Sequence, residues 1–181
     1  MSLVVVERSF SAPQVFAELQ AVEDANVWCL DENGVKFVRT YFSLDRMRMA
    51  CIYEAPDAEA ARRAQRKAGL PFDRAWPVLG MYRELADLGV APSTGEKQMV
   101  VCERTFDSPV SVEGVAAIVA ENGWCLETNN VDVIDSYMRA GDTGTLCVYA
   151  APDAESVRRA SRAANLPFDR AWAATLHEPA T

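Results

Sequence analysis

One stretch of this chain is written twice, 96 residues apart and without a gap. Val4-Val5-Val6-Glu7-Arg8-Ser9-Phe10 returns as Val100-Val101-Cys102-Glu103-Arg104-Thr105-Phe106, and Leu70-Pro71-Phe72-Asp73-Arg74-Ala75-Trp76 returns unchanged as 166–172. Aligning 4–78 on 100–174 gives 33 identities in 75 positions. The fold must therefore be one unit of about 75 residues used twice, near the lower size at which a core sustains itself. Packing two such units together relieves that problem. Between the copies, Met81, Tyr82, Leu85 and Leu88 predict a short amphipathic helix ended by Gly89, and 92–97 has linker composition. The expected layout is a first repeat at 1–79, a helix and linker at 80–98, a second repeat at 99–176 and a tail at 177–181.

Within one unit, the Val-rich residues 3–10 predict a strand. Pro13 suits a helix start, and Val15, Leu19 and Val22 supply a helical spacing. The helix is expected to run through Trp28-Cys29-Leu30 to Asn33-Gly34, with a short strand at 28–30 as the alternative. Residues 35–43 and 47–54 read as strands joined by a turn at 43–46. Asp57 is a good N-cap for a helix over 58–68, which Gly69 or Asn165 closes, and a last strand covers about 74–79. The order β-α-β-β-α-β is the ferredoxin-like unit. Such a unit covers one sheet face with helices and leaves the other bare. The fold class read here is α+β: tandem ferredoxin-like repeats packed as an intramolecular, dimeric α/β-barrel-like pseudo-dimer. Edge-to-edge joining is the alternative.

Half of the residues are hydrophobic and 24% are charged, which is globular composition. A net charge of -8 opposes phosphate-backbone binding, so no nucleic-acid partner is expected. No apolar run is long enough for a membrane span, and 1–8 lacks the pattern of a signal peptide, so a cytoplasmic location is expected. The five cysteines contain no CxxC pair, which argues against a disulfide framework or zinc knuckle. There is no Gly-rich phosphate loop, Ser-His-Asp arrangement or HExxH.

Three segments carry a family resemblance: Cys51-Ile52-Tyr53-Glu54-Ala55-Pro56-Asp57-Ala58-Glu59, Gly69-Leu70-Pro71-Phe72-Asp73-Arg74, and Val35-Lys36-Phe37-Val38-Arg39-Thr40-Tyr41. With the Val4–Phe10 segment they resemble the bacterial DUF4242 family. The resemblance spans both repeats and implies a ferredoxin-like fold, with some members described as nickel-binding. The chain has a single histidine, His177, outside both repeats. Imidazole is a usual nickel ligand, so no metal site is assigned.

Strand alternation groups the candidate site residues. Glu7, Arg39, Tyr41, Cys51 and Tyr53 are expected on one bare face, and Glu103, Asp135, Tyr137, Cys147 and Tyr149 on its counterpart. Ala50 and Ile52 are expected to meet the helices. If the sheets stack, these ten residues line a ligand cleft, with Arg39 and Asp135 forming an ion pair across the pseudo-twofold. The competing reading is ordinary inter-sheet packing, with Glu7 paired to Arg39 or Arg8. Cys29, Cys125, Cys51 and Cys147 read as small buried hydrophobes. Trp28, Trp76, Trp124 and Trp172 read as core or pocket-wall aromatics. The arginines at 62, 63, 66, 158, 159 and 162 read as solvated helix faces paired with Glu59 and Glu155.

The sequence therefore points to a small-molecule or metal-ion binding protein, with cofactor unknown and no catalytic residue assigned. A cofactor-independent oxygenase or isomerase using Glu7 or Glu103 is the second reading. A non-catalytic structural or interaction protein is the third. Exposed sheet edges make a homodimer the expected higher assembly.

Overall fold

The two repeats build the same elements in the same order. In the computed structural model, residues 1–83, 97–141 and 143–179 are described. The first repeat runs β1 (Ser2–Ser9), α1 (Phe16–Ala25), α2 (Val27–Glu32), β2 (Lys36–Ser43), β3 (Arg48–Ala55), α3 (Ala58–Lys67) and β4 (Arg74–Arg83). The second runs β5 (Gln98–Thr105), α4 (Val112–Glu121), α5 (Gly123–Thr128), β6 (Asp132–Arg139), β7 (Gly144–Ala151), α6 (Ala154–Ala163) and β8 (Arg170–His177). The chain divides into two contact units, 1–78 with 175–181, and 79–174. The fold class is the expected one, α+β with tandem ferredoxin-like repeats.

In the first unit β1 pairs antiparallel with both β3 and the start of β4, and β3 pairs with β2. In the second, β5 pairs with β7 and β8, and β7 with β6. Both units carry a register shift at the same place, between Phe37 and Arg39 and between Val133 and Asp135. An extra residue at such a bulge reverses the alternation of everything before it relative to everything after it.

The helix ends follow local chemistry. Asp57 accepts from Ala60 N at 2.7 Å and Asp153 from Ser156 N at 2.6 Å, which caps α3 and α6. Gly69 and Asn165 close them at φ +69° and +52°. The single long first helix expected from sequence is broken in both copies. Asn26 Nδ2 turns back to Val22 O at 2.8 Å and Asn122 Nδ2 to Ile118 O at 2.9 Å, so a second short helix begins after each asparagine. The first helices also start later than Pro13 implied, at Phe16 and Val112.

Two further expectations are corrected. Gly80 to Arg83 continue β4, so a helix does not begin at Met81; the rest of that segment, 84–96, lies outside the described residues. Trp28 and Trp124 are 50% and 61% exposed, because the inward positions of α2 and α5 belong to Cys29 and Cys125. Trp76 and Trp172 are buried as expected. The arginine-rich faces are paired as read, with Arg66 3.0 Å from Glu59 and Arg162 2.7 Å from Glu155. Among the described residues, no helix is long and apolar enough to cross a membrane.

Candidate functional site

The ten sequence candidates do not share one face per repeat. Opposed residues in an antiparallel pair lie on the same face. Glu7 lies opposite Ala50, Tyr41 opposite Ala50, and Arg39 opposite Ile52. Val4 and Phe37 lie opposite Tyr53, and Val6 and Thr40 opposite Cys51. Cys51, Tyr53, Val4 and Val6 pack in one core with Ala60, Ala61 and Ala64 of α3. Cys51 and Tyr53 therefore face the helices, and Ala50 and Ile52 face away, the reverse of the expectation. The second unit repeats this: Cys147 and Tyr149 lie under α6, and Glu103, Asp135 and Tyr137 on the other face.

The carboxylates on that other face are held as acceptors. Glu7 accepts from Trp76 Nε1 at 2.6 Å and pairs with Arg74 Nε at 2.7 Å, not with Arg8. Glu103 repeats the arrangement with Trp172 at 3.1 Å and Arg170 at 3.4 Å. Arg39 reaches Glu178 at 3.2 Å. Asp135 is fully buried and accepts from the Tyr137 hydroxyl at 3.1 Å.

A second set of differences between the repeats, besides Arg39 against Asp135, lies on the helix-covered face. In the first repeat Arg8 reaches in from β1, donating to Gln65 Oε1 at 2.7 Å and Pro71 O at 3.1 Å. Tyr53 donates to Glu23 Oε1 at 2.7 Å, and Thr40 Oγ1 to Cys51 Sγ at 3.1 Å. Glu23 comes from α1, is 9% exposed, and its negative charge acts on Arg8. A groove of about 450 Å³ is bordered by Arg8, Leu19, Glu23 and Met49, so here the carboxylate and the arginine share one lining.

In the second repeat four of the equivalent side chains are smaller, while Val22 and Ala61 become the larger Ile118 and Val157. Glu23, Met49 and Gln65 become Val119, Thr145 and Ser161, and Phe37 becomes Val133. All four replacements line a cavity of about 40 Å³ under α4, α5 and α6. Arg104, only 4% exposed, donates to Pro167 O at 2.7 Å, Ser161 Oγ at 2.9 Å and the Tyr149 hydroxyl at 3.0 Å. Ser136 Oγ is buried and has no hydrogen-bond partner among the described residues. The remaining wall is mostly apolar, with Val115, Ile118, Val131 and Val157 among it and Asn122 as its polar member. Val119, Leu126, Val131 and Val133 also border an outer groove of about 510 Å³.

Burial pushes the Tyr149 phenol well above its ordinary value, so it is a neutral hydroxyl. Burial likewise pushes the neighbouring Cys102 thiol up to about 12. Arg104 is thus the one charged side chain among the described residues lining the cavity, and its hydrogen bonds go to neutral groups. The sequence singles out Tyr149 and Cys147, though for the opposite face, and does not single out Arg104. The signal available is the set of large-to-small differences between the copies.

A family description covers both repeats, matching residues 5–78 and 100–173. The chain belongs to the nickel responsive protein SCO4226-like family. The crystal structure of SCO4226 from Streptomyces coelicolor A3(2) is 19% identical, covering 44% of this chain and 98% of that one at a TM-score of 0.40. A chlorite dismutase from Candidatus Nitrospira defluvii is similar over 97% of this chain and 91% of its own, at 9% identity and a TM-score of 0.53. That likeness shows the fold alone. A heme-binding protein from Thermus thermophilus is 13% identical over 97% and 90% of the two chains, at a TM-score of 0.46. No curated protein matches the chain.

The side chains described do not fit a nickel ion. Among the described residues no three of His, Cys, Asp and Glu converge. His177, the chain's single imidazole, stacks on Phe16 with centroids 3.6 Å apart and has Nε2 2.8 Å from Thr175 Oγ1. The cysteines are buried, and a raised thiol pKa, as at Cys51 and Cys102, disfavours the thiolate a metal needs.

Proposed function

We propose that this protein binds a small organic molecule in the second repeat, where the first repeat carries the Glu23 carboxylate instead. The observation that carries the reading is the cavity beneath α4–α6, where Arg104, Tyr149, Ser161 and Ser136 converge in a mostly apolar wall. A mostly apolar concavity with a few placed polar groups is the usual form of a small-ligand site. Of the ten residues expected from sequence, Cys147 and Tyr149 belong to this site. The clamping of Glu7 by Arg74 and Trp76 weighs against its use as a general base.

The test is a thermal-shift series with indole, 1-hexanol and hexanoate on the wild type and on Val133→Phe, which returns the first repeat's bulk to the cavity. At least one compound raises Tm in the wild type and loses that effect in the variant. Equal shifts in both proteins, or none in either, contradict the reading.

A further inference from the structure

We infer that the ligand of the second repeat is a monocarboxylate with an aliphatic tail, its carboxylate taking the place that Glu23 fills in the first repeat. This rests on the cavity being a binding site, as proposed above.

The first repeat shows what the buried arginine is matched with. Arg8 and Tyr53 share their core with the Glu23 carboxylate, which accepts the Tyr53 proton at 2.7 Å. Arg104 and Tyr149 are the same two residues 96 positions on, but position 119 is valine. The guanidinium keeps its charge at any physiological pH. It lies 4% exposed, donating to a carbonyl, a serine hydroxyl and a phenol, all neutral. A buried charge without a counter-charge is costly, so the site favours an anion.

The donors agree in type. Tyr149 accepts from Arg104, which leaves its own proton to donate. Ser136 Oγ is buried without a partner among the described residues and lines the same cavity. Its counterpart Thr40 is engaged with Cys51. Two hydroxyls and a guanidinium are the donor set that a carboxylate takes.

The volume sets the rest. About 40 Å³, at roughly 10–15 Å³ per water-sized centre, holds about three or four heavy atoms. A carboxylate with its first carbon fits. Val119, Leu126, Val131 and Val133 line both the cavity and the outer groove, so a tail extending toward that groove meets these four side chains. An aliphatic tail suits that wall, and a second charge does not.

The experiment is calorimetric titration of the full chain at pH 7 with hexanoate and 1-hexanol, which share a tail and differ in charge. Hexanoate is expected to bind at least ten-fold tighter than hexanol. Tyr149→Phe keeps the volume and removes a donor; it should weaken hexanoate about five- to ten-fold and leave hexanol unchanged. Val119→Glu supplies the carboxylate covalently and should abolish hexanoate binding in a chain whose circular dichroism is unaltered. Equal affinity for hexanol and hexanoate, sensitive to Val133→Phe, overturns the carboxylate inference and leaves the binding site standing. No binding of either compound overturns both. If Val119→Glu does not fold, the Tyr149→Phe comparison decides alone.

Discussion

The Tyr53 hydroxyl donates to Glu23 Oε1 across 2.7 Å inside the first repeat, and both residues are buried. A glutamate on an inward helix position looks like a misplaced surface residue. Its partner and the nearby Arg8 charge explain it: the carboxylate completes a polar cluster in an alanine-rich core. The second repeat keeps the tyrosine and the arginine and loses the carboxylate. Duplication thus provides an internal control, one copy with its own carboxylate beside the buried tyrosine and arginine and one without it.

Glu23→Val copies the second repeat into the first. It removes a buried, charge-assisted hydrogen bond and should cost about 2 kcal/mol of stability. Urea unfolding measures this as a lower midpoint at unchanged slope. An unaltered midpoint would mean that Tyr53 and Arg8 do not depend on the carboxylate.

Ser136 and Thr40 should respond in opposite directions. Ser136 Oγ is buried without a partner among the described residues, so Ser136→Ala should leave stability unchanged or raise it by about 1 kcal/mol in the unliganded protein. Thr40→Val removes a hydroxyl that donates to Cys51 Sγ at 3.1 Å and should cost about 1 kcal/mol. Equal losses at the two positions would show that Ser136 has a structural partner after all.

Much of the architecture is legible in the sequence because it is local and repeated. The valine runs, the Asp57 and Asp153 caps and the closing Gly69 and Asn165 each state their role in one or two residues. The faces are not legible. Ala50, Cys51, Ile52 and Tyr53 are all at most 1% exposed, so alternation between buried and exposed has no contrast to read. The bulge after Phe37 then separates Phe37 from Arg39 and Tyr41, which simple alternation puts together. The cavity is hidden for another reason. It arises from differences between the copies, whereas duplication draws attention to identities.

Acid sensitivity of the first unit should trace in part to His177. Partial burial against Phe16 holds its pKa below the ordinary imidazole value. The unfolded chain therefore takes up a proton first as pH falls through about 6.5, and the folded state loses stability there. Above that value the contribution is fully present. Between pH 7.5 and 5, the wild type should lose more stability than His177→Phe. A larger loss in the variant would reverse the assignment.

The five cysteines are buried and free. With Cys102 held near 12 and Cys51 also raised, the native thiols should be inert to a thiol-reactive dye at pH 8. Five equivalents should react on unfolding in denaturant. Fast reaction of any thiol in the native protein would contradict the burial described for it.

The most direct test places a ligand against named side chains. In a methyl-labelled sample titrated with hexanoate, intermolecular nuclear Overhauser effects should appear to Val119 and Val133 and not to Val35. Saturable binding with contacts elsewhere and none to these two valines would contradict the site in the second repeat.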